Sequence, residues 1–126
     1  MARRALQPER LPVPKPPYSP VVIAGEMVYT AGQIANDPDG NLIEGGIEEQ
    51  TRQTLVNLRT CLEAAGCSMD DVVKVNAFLA SRGDFPGYNE VYKEFFDVPY
   101  PARSSVGAGL PPGVLVEIEA VARKPS

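Results

Sequence analysis

The chain has 126 residues, 44 % of them hydrophobic, which fits one compact domain, residues 1–126, able to bury its own core without a metal or disulfides. Its net charge is −4, and its lysines and arginines are scattered apart from an N-terminal group, so a nucleic-acid partner is disfavoured. It has no histidine, which excludes Cys/His zinc sites and Ser–His or Cys–His nucleophile pairs and leaves acid–base chemistry to carboxylates, Tyr, Lys, Cys or water.

The first ten residues carry three arginines with no apolar run behind them and do not read as a secretory signal. No apolar stretch is long enough for a membrane span. Pro8, Pro12, Pro14, Pro16, Pro17 and Pro20 predict an extended, irregular lead-in, with a short edge strand around Arg3 to Leu6. Val21–Ala24 and Met27–Ala31 are β-prone runs, and Gly25-Glu26 between them suits a two-residue hairpin turn. Asn36 to Asn41 is a loop by its turn residues.

Ile47 to Ala65 is the clearest helix. Ile47, Thr51, Thr54, Leu55, Leu58, Cys61, Leu62 and Ala65 recur at three- and four-residue steps, Glu48 and Glu49 open it, and Gly66 stands where a C-terminal cap belongs. Cys61 and Cys67 read as small hydrophobes in or near the core, in a reducing, cytoplasmic setting. Ser68 with Asp71 resembles a capping box for one short turn. The strand that follows, Val72 to Ala80, puts Val73, Val75, Ala77 and Leu79 on one side and Val72, Lys74, Asn76 and Phe78 on the other. Asp84 is placed to cap a second helix, Phe85 to Phe96, with Phe85, Tyr88, Val91, Tyr92, Phe95 and Phe96 as its apolar stripe. Two strands close the chain, Ser104–Ala108 and Val114–Arg123, joined by a turn at Leu110-Pro111-Pro112-Gly113. The class is α+β, a mixed sheet with two helices packed on one face.

In the last strand Val116, Ile118, Ala120 and Ala122 share the face that suits packing under the helices. Leu115, Glu117, Glu119 and Val121 share the other. With Val72 and Phe78 added, that second face carries enough apolar groups to predict a partner sheet, most simply from an identical subunit. Glu117 and Glu119 then lie at or near an interface, where low dielectric perturbs a carboxylate. By strand pattern alone, surface charge or an intersubunit salt bridge is the better reading of both.

Pro101-Ala102-Arg103-Ser104-Ser105-Val106, then Leu110-Pro111, then Val114 through Ala122, resembles the signature of the YjgF/Rid (reactive intermediate deaminase) family. Pro17-Tyr18-Ser19-Pro20, Tyr29 through Ile34, Glu49 through Gln53, Leu62 through Gly66 and Asn89-Glu90-Val91-Tyr92 agree with it and keep its order, so the match spans nearly the whole chain.

The resemblance implies a chorismate-mutase-like fold and a homotrimer with clefts between subunits. It also implies hydrolysis of reactive imines or enamines, such as 2-aminoacrylate, to 2-keto acids and ammonia with no cofactor or metal. On it, Arg103 matches the arginine that holds the substrate carboxylate, and Glu117 the glutamate that positions or activates water. Tyr18 and Asn89 match cleft-lining residues, and Gly32 the backbone near the substrate. Arg103 is expected just before a short strand, with Glu117 on the neighbouring one.

The chain also departs from the family pattern. Ser105 stands where many members have cysteine, and Ala31 where a serine often lines the pocket. Pro16 and Pro20 replace a usual glycine and glutamine at the cleft entry. Two other readings stay open: a deaminase dedicated to one pathway, of aminomuconate or aminoacrylate type, and a non-catalytic trimer that binds 2-keto acids through Arg103. An endoribonuclease is the weakest reading, given the acidic balance and the missing histidine.

Overall fold

Alternation of apolar and polar residues dictates most of the strands in the computed structural model, which describes residues 2–125; Met1 and Ser126, the ends of the expected 1–126 unit, lie outside the described residues. The elements are β1 (Arg4–Leu6), β2 (Val21–Ala24), β3 (Met27–Thr30), α1 (Ile47–Ala64), β4 (Val72–Leu79), α2 (Phe85–Phe95), β5 (Ala102–Gly107) and β6 (Val116–Arg123). They form one six-stranded sheet in the order β1-β2-β3-β6-β4-β5. Every pairing is antiparallel except β4 with β5, which is parallel. A parallel pair cannot be closed by a tight turn, and α2 supplies the crossover. Gly25 has φ +63° in the β2–β3 turn, a value that glycine adopts without steric cost.

Helix α1 ends as Gly66 predicts. The Cys67 N–H donates to the Leu62 carbonyl and the Gly66 N–H to the Glu63 carbonyl, with Gly66 at φ +83°. This pattern satisfies two carbonyls that the helix leaves free. At its start the Gly46 N–H donates to the Glu49 carboxylate at 3.0 Å. Leu55, Leu58, Cys61 and Leu62 are fully buried against Val21, Val28, Val75 and Ile118 of the sheet and Tyr88 of α2. Cys61 and Cys67 are buried free thiols, and burial pushes Cys61 up to about 12. Among the described residues no helix is long and apolar enough to cross a membrane.

Three sequence expectations are corrected. First, a bulge between Val72 and Lys74 shifts the register of β4 on β6, so Val72 turns under the helices at 6 % exposure and Val73 turns outward at 47 %. The extra residue reverses the alternation at that end of the strand. Second, Asp84 occupies the position before α2 but makes no side-chain cap, because a turn of 3₁₀ helix at Arg82–Asp84 runs straight into α2 and leaves Asp84 in helical backbone. A capping side chain needs an extended residue there. Third, the Leu110–Gly113 turn does not join neighbouring strands. It carries the chain from the edge strand β5 past β4 to β6 in the middle of the sheet.

Both helices lie on one face of the sheet. The opposite face carries Tyr29, Phe78, Val106 and Val121 between Lys74, Asn76, Glu117 and Glu119. Tyr29 and Val106 remain 44 % and 49 % exposed on it.

Candidate functional site

Arg103 lies within β5, not before it, and pairs in register with Val75, whose side chain is buried under the helices. Alternation therefore aims Arg103 toward α2. Its guanidinium carbon sits 4.7 Å from the ring centre of Tyr92 and 5.2 Å from that of Tyr88. Among the described residues no carboxylate pairs with it; the ion pairs are Arg52–Glu94, Lys93–Glu90 and Arg123–Glu26. The guanidinium borders an open cleft of about 890 Å³, whose wall includes Asn89, Tyr92, Tyr100 and Pro101. Ser105 points the same way two residues on, and its Oγ lies 3.0 Å from the Tyr88 hydroxyl. Asn89 Oδ1 and the Tyr92 hydroxyl are buried without a hydrogen-bond partner among the described residues.

Glu117 lies elsewhere. It leaves β6 on the face away from the helices, beside Phe78 of β4, while Val116 and Ile118 on either side are fully buried. It shares a cavity of about 160 Å³ with Tyr18, Gly32, Gln33, Asn36 and Asn57. Gly32 lets the loop pack directly on Glu117: a Cβ at that position would lie 2.8 Å from the glutamate Cδ, so a larger residue would displace the carboxylate. The loop is stitched to β6 by reciprocal bonds between Gln33 and Ile118, at 2.8 and 3.0 Å. Asn57 of α1 donates to the Ile34 and Asn36 carbonyls, both at 2.9 Å, and so fixes the cavity floor. Burial raises the pKa of Glu117, and the charge of Glu119 raises it further.

The expected site residues thus fall into two groups. Arg103 and Asn89 line one cleft; Tyr18, Gly32 and Glu117 line the other. Ala31 and Ser105 line neither: the Ala31 N–H is held by the Pro20 carbonyl, and Ser105 sits behind Arg103 against Tyr88. The strands of Arg103 and Glu117 are not neighbours, since β4 runs between them, and the two side chains leave opposite faces of the sheet. One small molecule cannot touch both within one copy. Among the described residues no three of Asp, Glu and Cys gather closely enough to hold a metal ion.

Sequence reading missed three residues that build these clefts. Tyr88 was legible only as part of an apolar stripe, and Tyr92 as that and as a motif residue with no role assigned. Asn57, with the similarly buried Gln50, is a polar residue on the buried side of α1. Their seven-residue spacing beside Thr54 and Cys61 was the available signal, since buried amides are there to bond something.

Comparisons with known proteins agree with the motif reading. The family model described as "Endoribonuclease L-PSP" matches residues 9–124. A RutC family protein of Pyrococcus horikoshii is 48 % identical over 118 residues, covering 92 % of this chain and 94 % of that protein. The human 2-iminobutanoate/2-iminopropanoate deaminase is 41 % identical over 124 residues, covering 97 % of this chain and 90 % of its own length. Among solved structures, E. coli TdcF with bound serine superposes with a TM-score of 0.90 at 38 % identity, covering 97 % of this chain and 99 % of that one.

Proposed function

The chain belongs to the family described as endoribonuclease L-PSP, the YjgF/Rid family, and from that premise we propose that it hydrolyses 2-imino and 2-enamino acids to 2-keto acids and ammonia, at a site completed between two copies of the chain. Relatives about 40 % identical carry the name 2-iminobutanoate/2-iminopropanoate deaminase, which supports imine deamination as the family chemistry.

One observation carries the reading: Arg103 lines a cleft and, among the described residues, no carboxylate forms an ion pair with it, although Glu48 and Glu90 border the same cleft. A planar guanidinium grips a carboxylate through two parallel charge-assisted bonds. With the substrate so anchored, the imine carbon needs only an oriented water. Water adds to the carbon of the protonated imine as the C=N π pair moves to nitrogen, and Glu117 accepts a proton from the water to leave a neutral carbinolamine. Glu117 returns that proton to the amino nitrogen, the C–N bond breaks toward nitrogen to release ammonia, and the hydroxyl gives its proton back to Glu117 as the C=O forms. Burial and the charge of Glu119 raise the pKa of Glu117, which makes its carboxylate a stronger base than an ordinary one. Asn89 and Tyr18 border the two half-sites and are assigned to substrate contact.

The division of the half-sites between two sheet faces supports assembly with identical subunits, for which a homotrimer is the family expectation. Tyr29, Phe78, Val106 and Val121 are the apolar surface available to cover.

The test is a coupled assay. Serine dehydratase acting on serine generates 2-aminoacrylate, and added protein should speed pyruvate release, whereas Arg103→Ala should not. No acceleration over buffer, or full activity in Arg103→Ala, overturns the proposal. Lost activity in Glu117→Gln with retained 2-oxobutanoate binding assigns the glutamate to the chemistry rather than to the grip.

A further inference from the structure

Most arginines that hold a fixed pose do so against a carboxylate, which consumes the N–H groups that a ligand would need. Arg103 is held differently. Tyr92 and Tyr88 lie under it, at 4.7 and 5.2 Å. We infer that Tyr88 and Tyr92 are positioning residues for Arg103, holding its guanidinium by the flat face and leaving its N–H edge free for a carboxylate.

The rings are themselves fixed. Tyr92 stacks on Phe96 with centroids 4.5 Å apart, Tyr88 tilts against Tyr92 at 5.8 Å, and Phe85 meets Tyr88 edge-on at 6.2 Å. This ladder runs down one face of α2 to Phe96 just past its end, so the rings cannot turn away without breaking core packing. Tyr88 is fully buried and Tyr92 is 5 % exposed. The Tyr88 hydroxyl is tied to Ser105 and also feels the Arg103 guanidinium, whereas that of Tyr92 has no partner among the described residues. At position 92 it is therefore the ring, not the hydroxyl, that serves Arg103. Burial pushes Tyr92 up to about 12 and raises Tyr88 as well, so neither becomes a phenolate that would compete with a ligand for the cation. The negative face of an aromatic ring attracts a guanidinium without neutralising it.

The inference rests on the reading of Arg103 as a carboxylate clamp. It is tested at position 92 with a ring series of constant shape: Tyr92→Phe, then phenylalanines carrying one, two and three ring fluorines, each of which drains the negative face. Calorimetry with 2-oxobutanoate reads the grip, the serine dehydratase assay reads kcat/KM, and thermal unfolding reads the fold. Tyr92→Phe should bind within about twofold of wild type. Dissociation constants should then rise stepwise to about tenfold at the trifluoro ring, the range of one partly desolvated cation–π contact. The melting temperature should stay level and kcat/KM should fall in parallel. A flat series, with binding lost in Arg103→Ala, overturns the platform and leaves the clamp standing. Unchanged binding in Arg103→Ala overturns the clamp, and the platform with it.

Discussion

Glu117 sits where two requirements conflict. In the proposed hydrolysis it must be ionised to take a proton from water, yet burial and Glu119 both oppose its charge. The sign of the consequence is fixed. A carboxyl whose pKa is raised in the folded state favours folding most when protonated, and loses that contribution as pH rises through the raised value. Where it is ionised the group therefore costs stability, and Glu117→Gln should raise stability by on the order of 0.5 kcal/mol, the size of one like-charge contact on a sheet. Urea titration at pH 7 checks the gain, which should shrink as pH falls through the raised value. The same substitution should abolish imine hydrolysis. In wild type, kcat should fall as pH drops, with its midpoint above the ordinary glutamate value of about 4.3. A midpoint at or below that value would separate the titration from Glu117.

The elements show where sequence patterns suffice. Ile47–Ala64, β6 and the Gly25 hairpin were legible because each has a single strong period and a glycine or a buried neighbour that agrees with it. The bulge at Val72–Lys74 was not, because an inserted residue leaves both alternations equally plausible until the partner strand is known. The place of β5 was hidden for a similar reason: whether it meets β6 or β4 depends on the α2 crossover, and no local pattern records a crossover. Position-by-position resemblance named Arg103 and Glu117, but which sheet face each occupies became clear only from the register. Buried amides on α1 carry a cost that can be measured. Gln50 donates to the Gly113 carbonyl at 2.8 Å and accepts from the Leu115 N–H at 2.9 Å, tying α1 to the segment that leads into β6. Gln50→Ala removes both bonds and strands a partly buried carbonyl and N–H, so it should cost about 2–4 kcal/mol in chemical denaturation. A loss below about 1 kcal/mol would mean that water replaces the glutamine.

At the scale of the whole molecule the sheet acts as a partition. Arg103 faces α2 on one side and Glu117 faces away from the helices on the other, so under the proposed assembly each copy offers half of two different sites. Closed symmetry supplies the missing halves when the open face of one copy covers the cleft of the next. This arrangement predicts complementation. Arg103→Ala and Glu117→Gln should each be inactive alone, since every site in either assembly lacks one partner. Dissociated, mixed in equal amounts and reassembled, they form sites at random. A site that takes its arginine from the Glu117→Gln chain and its glutamate from the Arg103→Ala chain is intact, and random pairing makes about a quarter of the sites so. Activity should therefore recover to about a quarter of wild type. A double variant carrying both changes, mixed with wild type, should instead dilute activity, because it adds no intact half. If the two single variants stay inactive after mixing, while native mass measurement finds both in one assembly, Arg103 and Glu117 do not serve one substrate. A site within one copy would then have to be built without the sheet face that Glu117 occupies.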